Sequence, residues 1–266
     1  MTEEHFHPKY DAAKEHAWHL SCWVAPALQA WCVHEKSSGR LMALVCGTGE
    51  NMPLEQRMPG KPVSVSFTAM PEISTLVPES ALVAGTEMRH LKLVHGSVPT
   101  GLLRDEPIGT LGARCIYLHD EMAERSLLER FPNARSLPLH GTLVSHALSR
   151  SSFGAVAVLH RSATRLDLVV ADRGKLLLTN TFHATVAEDL LYYTLFALEQ
   201  CGLSPDDVEV RAGGTHLTPG EEHLLSKYFL KGPVPTTGAK DPVLVDLPVP
   251  NAHHWTGLID QFPCAS

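Results

Sequence analysis

Sixteen histidines and six cysteines are the first residues to test for chemistry, because imidazole and thiolate supply most metal ligands and many nucleophiles near neutral pH. His5 and His7 stand two apart and His253 and His254 are adjacent, but neither pair has a cysteine or carboxylate at a zinc-site spacing. Both pairs therefore read as solvated or partly packed imidazoles. Cys22 lies beside Trp23 in an apolar run, the setting of a packed thiol. Glu188 and Asp189 could share acid and base work, yet they open a helix, where the positive end of the helix dipole already accounts for them. The phosphate-binding P-loop, the dinucleotide fingerprint, the serine elbow and the HExxH helix are all absent. Two glycine clusters remain. Gly47-Thr48-Gly49-Glu50-Asn51 follows a strand with no helix pattern behind it and reads as a turn. Gly213-Gly214 ends a strand, and Thr215 leads on to a helix start at Thr218-Pro219. Glycines there either let the backbone approach a ligand or simply allow a tight turn.

The elements that must position these residues follow from periodicity and punctuation. His19 to Val33, broken at Ala25-Pro26-Ala27, and Leu41 to Cys46 read as a strand hairpin and its continuation. Val63 to Phe67 is a further strand, Thr86 to Val94 a short helix, and Ala113 to Leu118 a buried strand. Asp120 caps a helix that runs to Phe131, because its carboxylate can accept unpaired backbone N–H groups. Ser136 to Leu139 reads as a strand and Gly141 to Ser149 as a helix. From Gly154 the order begins again: strands at Ala155 to Leu159, Arg165 to Ala171 and Lys175 to Phe182, joined by short turns. Thr185 to Glu188 reads as a capping box opening the strongest helix, with Val186, Leu190, Leu191, Leu195 and Leu198 at helical spacing and Gly202 as its stop. Val208 to Arg211 is the next strand, Thr218 to Glu221 a second capping box for a helix to about Leu230, and a strand at Val243 to Leu247 and a helix at His253 to Phe262 close the chain.

The repeated order divides the chain into a tail over 1–17, a first lobe over 18–150 and a second over 153–266. Strand-helix alternation favours mixed sheets covered by helices, an α/β class. With 44% hydrophobic residues among 266, packing alone can carry the fold. Twenty-two basic against twenty-nine acidic residues give a net charge of −7 with no run of one sign, which argues against a nucleic-acid surface or an acidic-membrane binder. No leader and no membrane span is visible, and no C-x-x-C occurs, so the expectation is a reduced, cytoplasmic chain.

Asn180-Thr181-Phe182-His183-Ala184-Thr185, Glu188 to Phe196 and Glu199-Gln200 together resemble the signature of a bacterial family of uncharacterised proteins with an actin-like ATPase fold. Thr75-Leu76-Val77-Pro78 and Phe131-Pro132-Asn133-Ala134 support the resemblance. It implies two ribonuclease H-like lobes around a cleft, as in actin, sugar kinases and Hsp70 ATPase domains, and implies no activity. An active member of that fold would need two hairpin turns bearing glycine and aspartate, to approach phosphates and hold their metal. Here the turns fall at Val24-Ala25-Pro26-Ala27 and at His160 to Thr164, and both lack an acid and a glycine. The adenosine-type element survives as Gly213-Gly214-Thr215. Arg161, beside Ser162, could offset an anion in place of a metal, or could be solvated.

Two functional readings follow. The first is a degenerate, non-catalytic actin-like protein that binds a protein partner or serves as a structural adaptor, without cofactor. The alternative is a nucleotide-binding ATPase or kinase holding ATP or ADP with Mg through Gly213, Gly214, Thr215, Arg161 and Ser162. A homodimer stays open in either case. The short chain leaves little sequence for the inserted segments and substrate loops of an active phosphotransferase, which favours the first.

Overall fold

The computed structural model describes residues 2–236, 242–244 and 247–265. It forms two compact units, 1–142 with 242–249 and 258–266, and 143–241 with 250–257.

The first unit is built on strands β1 (Thr2–Phe6), β2 (Trp18–Ala25), β3 (Leu28–Glu35), β4 (Leu41–Thr48) and β5 (Ser64–Ala69). The chain then leaves this sheet for β6 (Ile73–Pro78), α1 (Glu87–His95), β7 (Leu102–Ile108) and β8 (Ala113–His119). It returns through α2 (Glu121–Arg130) and β9 (Arg135–Ser136), and α3 (Leu139–Arg150) carries the chain from the first unit into the second. The main sheet runs β1-β4-β3-β2-β5-β9. Its hairpin partners are antiparallel, and β5 lies parallel to both β2 and β9. Strands β6, β8 and β7 form a separate antiparallel sheet whose small core is Val77, Leu91, Ile116 and Leu118.

The second unit contains β10 (Ala155–Arg161), β11 (Arg165–Asp172), β12 (Lys175–His183), α4 (Ala187–Gln200), β13 (Glu209–Gly213), α5 (Pro219–Ser226) and β14 (Lys231–Pro235). Its sheet order, β12-β11-β10-β13-β14, repeats the first unit's β4-β3-β2-β5-β9 with the same parallel and antiparallel pairs. The duplication is therefore one of topology. Short helices α6 (Thr256–Ile259) and α7 (Gln261–Ala265) end the chain. Among the described residues, no helix is long and apolar enough to cross a membrane.

Several expectations change. Residues 2–6 are no free tail, because β1 pairs residue by residue with β4. The strand at 113–118 stands outside the main sheet, in an inserted subdomain that the shortness of the chain had argued against. Only Arg135–Ser136 forms the expected strand at 136–139, and Leu139 already begins α3. Helix α5 stops at Ser226, short of Leu230, and β14 begins at Lys231. The carboxylate that caps α4 is Asp189, which accepts the Thr185 and Val186 N–H groups at 2.8 and 3.1 Å, and not Glu188. Pro242–Leu244 is a 3-10 turn where a strand was expected, and 245–246 lie outside the described residues. The expected helix over His253 to Phe262 is split into a 3-10 turn, α6 and α7.

The end of the chain belongs to the first unit for a physical reason. Alternation along β2 and β5 sends Leu20, Cys22 and Phe67 to one face, where Leu127 of α2 and Phe131 just after it cover them. The opposite face carries His19, Ser21, Ser64 and Ser66, polar groups that need partners when buried. Gln261 supplies them, accepting from Ser66 Oγ at 2.9 Å and donating to the Cys22 carbonyl at 3.0 Å. His19 holds Ser64 and Ser66 through its two ring nitrogens, at 2.8 and 3.0 Å, and Phe262 stacks on His34 with centroids 4.9 Å apart.

Burial pushes His19 down to about 4, with Lys36 adding to the shift, and His34 down to about 3. Unfolded imidazoles take up protons below the ordinary value of 6.5, whereas these two do so only nearer 3 to 4. The unfolded state thus binds more protons through that window, and stability falls as pH drops from about 6.5 towards 4. Urea unfolding followed by tryptophan fluorescence at stepped pH should show this slope, and His19→Gln should make it shallower while His34 and His160 keep the remainder; an unchanged slope in the variant would refute the assignment.

Candidate functional site

The structure brings Arg161, Ser162, Gly213, Gly214 and Thr215 together within the second unit, where the β10–β11 turn meets the β13–α5 turn. Arg161 is the last residue of β10, and its side chain is buried. Its Nε donates to Glu221 Oε1 at 2.9 Å, and its Nη1 donates to the carbonyls of Ser162, Ala163 and Ala184 at 2.5, 3.2 and 3.0 Å. One guanidinium therefore ties its own turn, the end of β12 and the start of α5. Glu221 is committed on its other oxygen as well, accepting the Thr218 N–H at 2.8 Å and the Thr218 hydroxyl at 3.0 Å, while its own N–H donates to Thr218 Oγ1. The expected capping box is present and doubles as the anchor for Arg161.

The two glycines meet a packing requirement. A Cβ on Gly213 would strike Thr236 Oγ1 and the His253 carbonyl, and one on Gly214 would strike the Arg161 backbone. Gly214 also has φ +110°, a conformation that other residues rarely adopt. Its N–H donates to the His253 carbonyl at 3.0 Å, and the His216 N–H donates to the Arg161 carbonyl at 3.1 Å. Thr215 is half-buried, with its hydroxyl 3.0 Å from His216 Nδ1. Ser162 has a buried hydroxyl with no partner among the described residues. Glycine is thus required here by the crossing of two backbones.

In the first unit the corresponding β2–β3 turn is Pro26-Ala27, and it opens on a cavity of about 470 Å³. Four of the seven methionines, Met52, Met58, Met70 and Met122, line it, with carboxylates Glu50, Glu55 and Asp120. The sequence reading missed this site, because its methionines are scattered over 71 positions of chain with no common motif. The cavity lies at the carboxyl ends of the parallel strands β2 and β5, a usual location for ligand sites in α/β sheets.

The remaining candidates take structural roles. His5 lies in β1, and His7 Nδ1 accepts from the Lys9 N–H at 3.0 Å. His253 Nε2 is 3.3 Å from Glu222. Among the described residues no three His, Cys, Asp or Glu side chains gather as a metal site would require. Burial pushes the Cys22 thiol up to about 12, far from reactive thiolate. Tyr193 stacks on Phe182 at 4.4 Å, while Tyr192 is exposed.

The family described as "Protein of unknown function (DUF3822)" matches residues 64–231. The chain belongs to this family. Among solved structures, a Bacteroides thetaiotaomicron protein "with actin-like ATPase fold and unknown function" is 18% identical with a TM-score of 0.70, covering 84% of this chain and 93% of that one. That likeness and the repeated sheet order establish the actin-like ATPase fold for this DUF3822 chain. More distant likenesses are a PilM-PilN type IV pilus biogenesis complex, 13% identical over 92% of this chain and 98% of that one, and the ethanolamine utilization protein EutJ from Carboxydothermus hydrogenoformans, 10% identical over 91% and 89%, both with a TM-score of 0.48. No curated protein sequence matches this DUF3822 chain.

The buried Arg161–Glu221 pair gives a direct test of what the arginine does. Arg161→Met strands a buried carboxylate and should cost about 3–5 kcal/mol in urea unfolding. A surface arginine kept free for an anion would cost less than about 0.5 kcal/mol, and a value in that range would refute the structural role.

Proposed function

We propose that this DUF3822 chain acts as a protein-binding or structural adaptor on an actin-like scaffold that has given up phosphate chemistry. The observation that carries this reading is the state of Arg161. It is the cation best placed to offset a phosphate at the β10–β11 turn, and its guanidinium is spent on Glu221 and three carbonyls. Releasing it would break a buried ion pair, a cost that a phosphate contact would have to exceed. The β2–β3 turn supports the same conclusion. Pro26 has no N–H to offer, and the nearby carboxylates of Glu50 and Asp120 repel polyphosphate in the absence of a bridging cation. The glycines of the adenosine-type element are explained by backbone crossing, so they are no separate argument for a nucleotide.

Isothermal titration of ATP and of ADP, each with magnesium, into the full chain should give no binding heat up to millimolar nucleotide. Micromolar affinity for either would overturn the reading in favour of a nucleotide-binding ATPase or kinase. Gly214 is unsuited as a control in that experiment, because any side chain there collides with Arg161 whether or not a nucleotide binds.

A further inference from the structure

The cavity of the first unit exists because one crossover is made without a helix. In the second unit the third strand reaches the fourth through α4, which lays Leu190, Ala197 and Leu198 over the sheet. In the first unit the same step, from β4 to β5, is residues 49–63, with only a 3-10 turn at Glu55–Arg57. Met52, Leu54 and Met58 pack on the sheet from this loop beside Leu127 of α2 and Phe131 just after it. They cover less than a helix would, and the uncovered remainder is the cavity.

Its chemistry is graded from floor to rim. The floor is buried and apolar, with Met58, Met70, Leu127 and Phe131. Thioether side chains on such a floor adjust to irregular shapes, which suits apolar groups of differing form. The rim is exposed and acidic, with Glu50, Glu55 and Asp120. Arg130, the one Lys or Arg in the lining, is paired with Glu55 at 3.1 Å and lies over the Phe131 ring. Glu50 and Asp120 are left without a cationic partner among the described residues. The volume falls within the usual range of ligand sites, roughly 300–1,000 Å³. An apolar floor under an exposed acidic rim is complementary to large apolar side chains flanked by lysine or arginine.

We propose that this cavity is the docking site for the protein partner, and that it takes a basic apolar peptide segment, whose apolar side chains enter between α2 and the 49–63 loop while its cations meet Glu50 and Asp120. The assignment rests on the adaptor reading and names the partner's chemistry.

The test uses the full chain and three short fluorescein-labelled peptides, one of Leu and Lys, one of Leu and Glu, and one of Ser and Lys, read by fluorescence anisotropy. The Leu/Lys peptide should bind, and both others should bind at least about tenfold more weakly, since one loses the charge match and the other the apolar contact. Glu50→Lys should weaken the Leu/Lys peptide at least about fivefold, because it reverses a charge at the rim. Glu129→Lys, an exposed acid outside the lining, should leave binding unchanged. No binding of the Leu/Lys peptide, equal binding of all three peptides, or equal weakening by both variants would overturn the proposal, the last outcome showing only the attraction of an acidic chain for cations. Nucleotide calorimetry separates the two levels of inference. Failed peptide binding with silent calorimetry removes the cavity assignment alone, whereas nucleotide binding removes the adaptor reading itself.

Discussion

The buried pair of Arg161 and Glu221 is the interaction on which the second unit's candidate site depends. An ionised carboxylate without a partner would not be tolerated at this depth, so each residue requires the other. Around them the turn carbonyls of Ser162 and Ala163, the end of β12 at Ala184 and the first turn of α5 are drawn to one point. The N-terminus of α5 is therefore closed by its own Glu221. A helix start that would otherwise offer free N–H groups to an anion already has an internal carboxylate in that place.

The first unit solves a different problem with the same topology. Its sheet has one apolar face and one face that mixes apolar side chains with His19, Ser21, His34 and Ser66, and each needs its own cover. The apolar face is shared by α2 and a loop, which leaves room above the methionines. The polar groups of the second face are met by a helix of five residues, α7, too short to persist by propensity and held instead by Gln261 and the His34–Phe262 stack. Stability there comes from satisfying buried donors and acceptors, which gives it a pH dependence that an apolar cover would lack.

Strands with local partners were legible in the sequence. The β2–β3 and β10–β12 hairpins follow from apolar runs and short turns, and the α2 and α5 caps follow from Asp120 and Thr218. What escaped was set by distant pairing. Strand β1 is polar, and it is a strand only because β4 offers an edge 37 or more positions away. Residues 73–119 form their own sheet because β6 and β7 both pair with β8, a fact that no window of sequence contains. The membership of α7 in the first unit depends on Ser66 and the Cys22 carbonyl, far upstream of Gln261. At the site, the residue types were found but their roles were not. Arg161 at the end of an apolar strand gave no sign of the carboxylate 60 residues later that holds it.

Gly213-Gly214 shows why a motif can be required for packing, independent of the chemistry it is read for. In this fold β13 must end beside the β10–β11 turn, and the backbone of residue 214 passes against that of Arg161 at a distance that leaves no space for a side chain. That crossing is a property of the sheet order, with β10 and β13 as parallel neighbours, and it holds whether or not a ligand occupies the turn. Folding alone is then sufficient to require both glycines, whereas a turn glycine with open space around it has no such packing duty. On this argument the informative positions in an actin-like chain are the turns whose glycines would have no packing duty. In this chain those turns read Ala25-Pro26-Ala27 and Arg161-Ser162-Ala163, and the second of them spends its one cation on the fold.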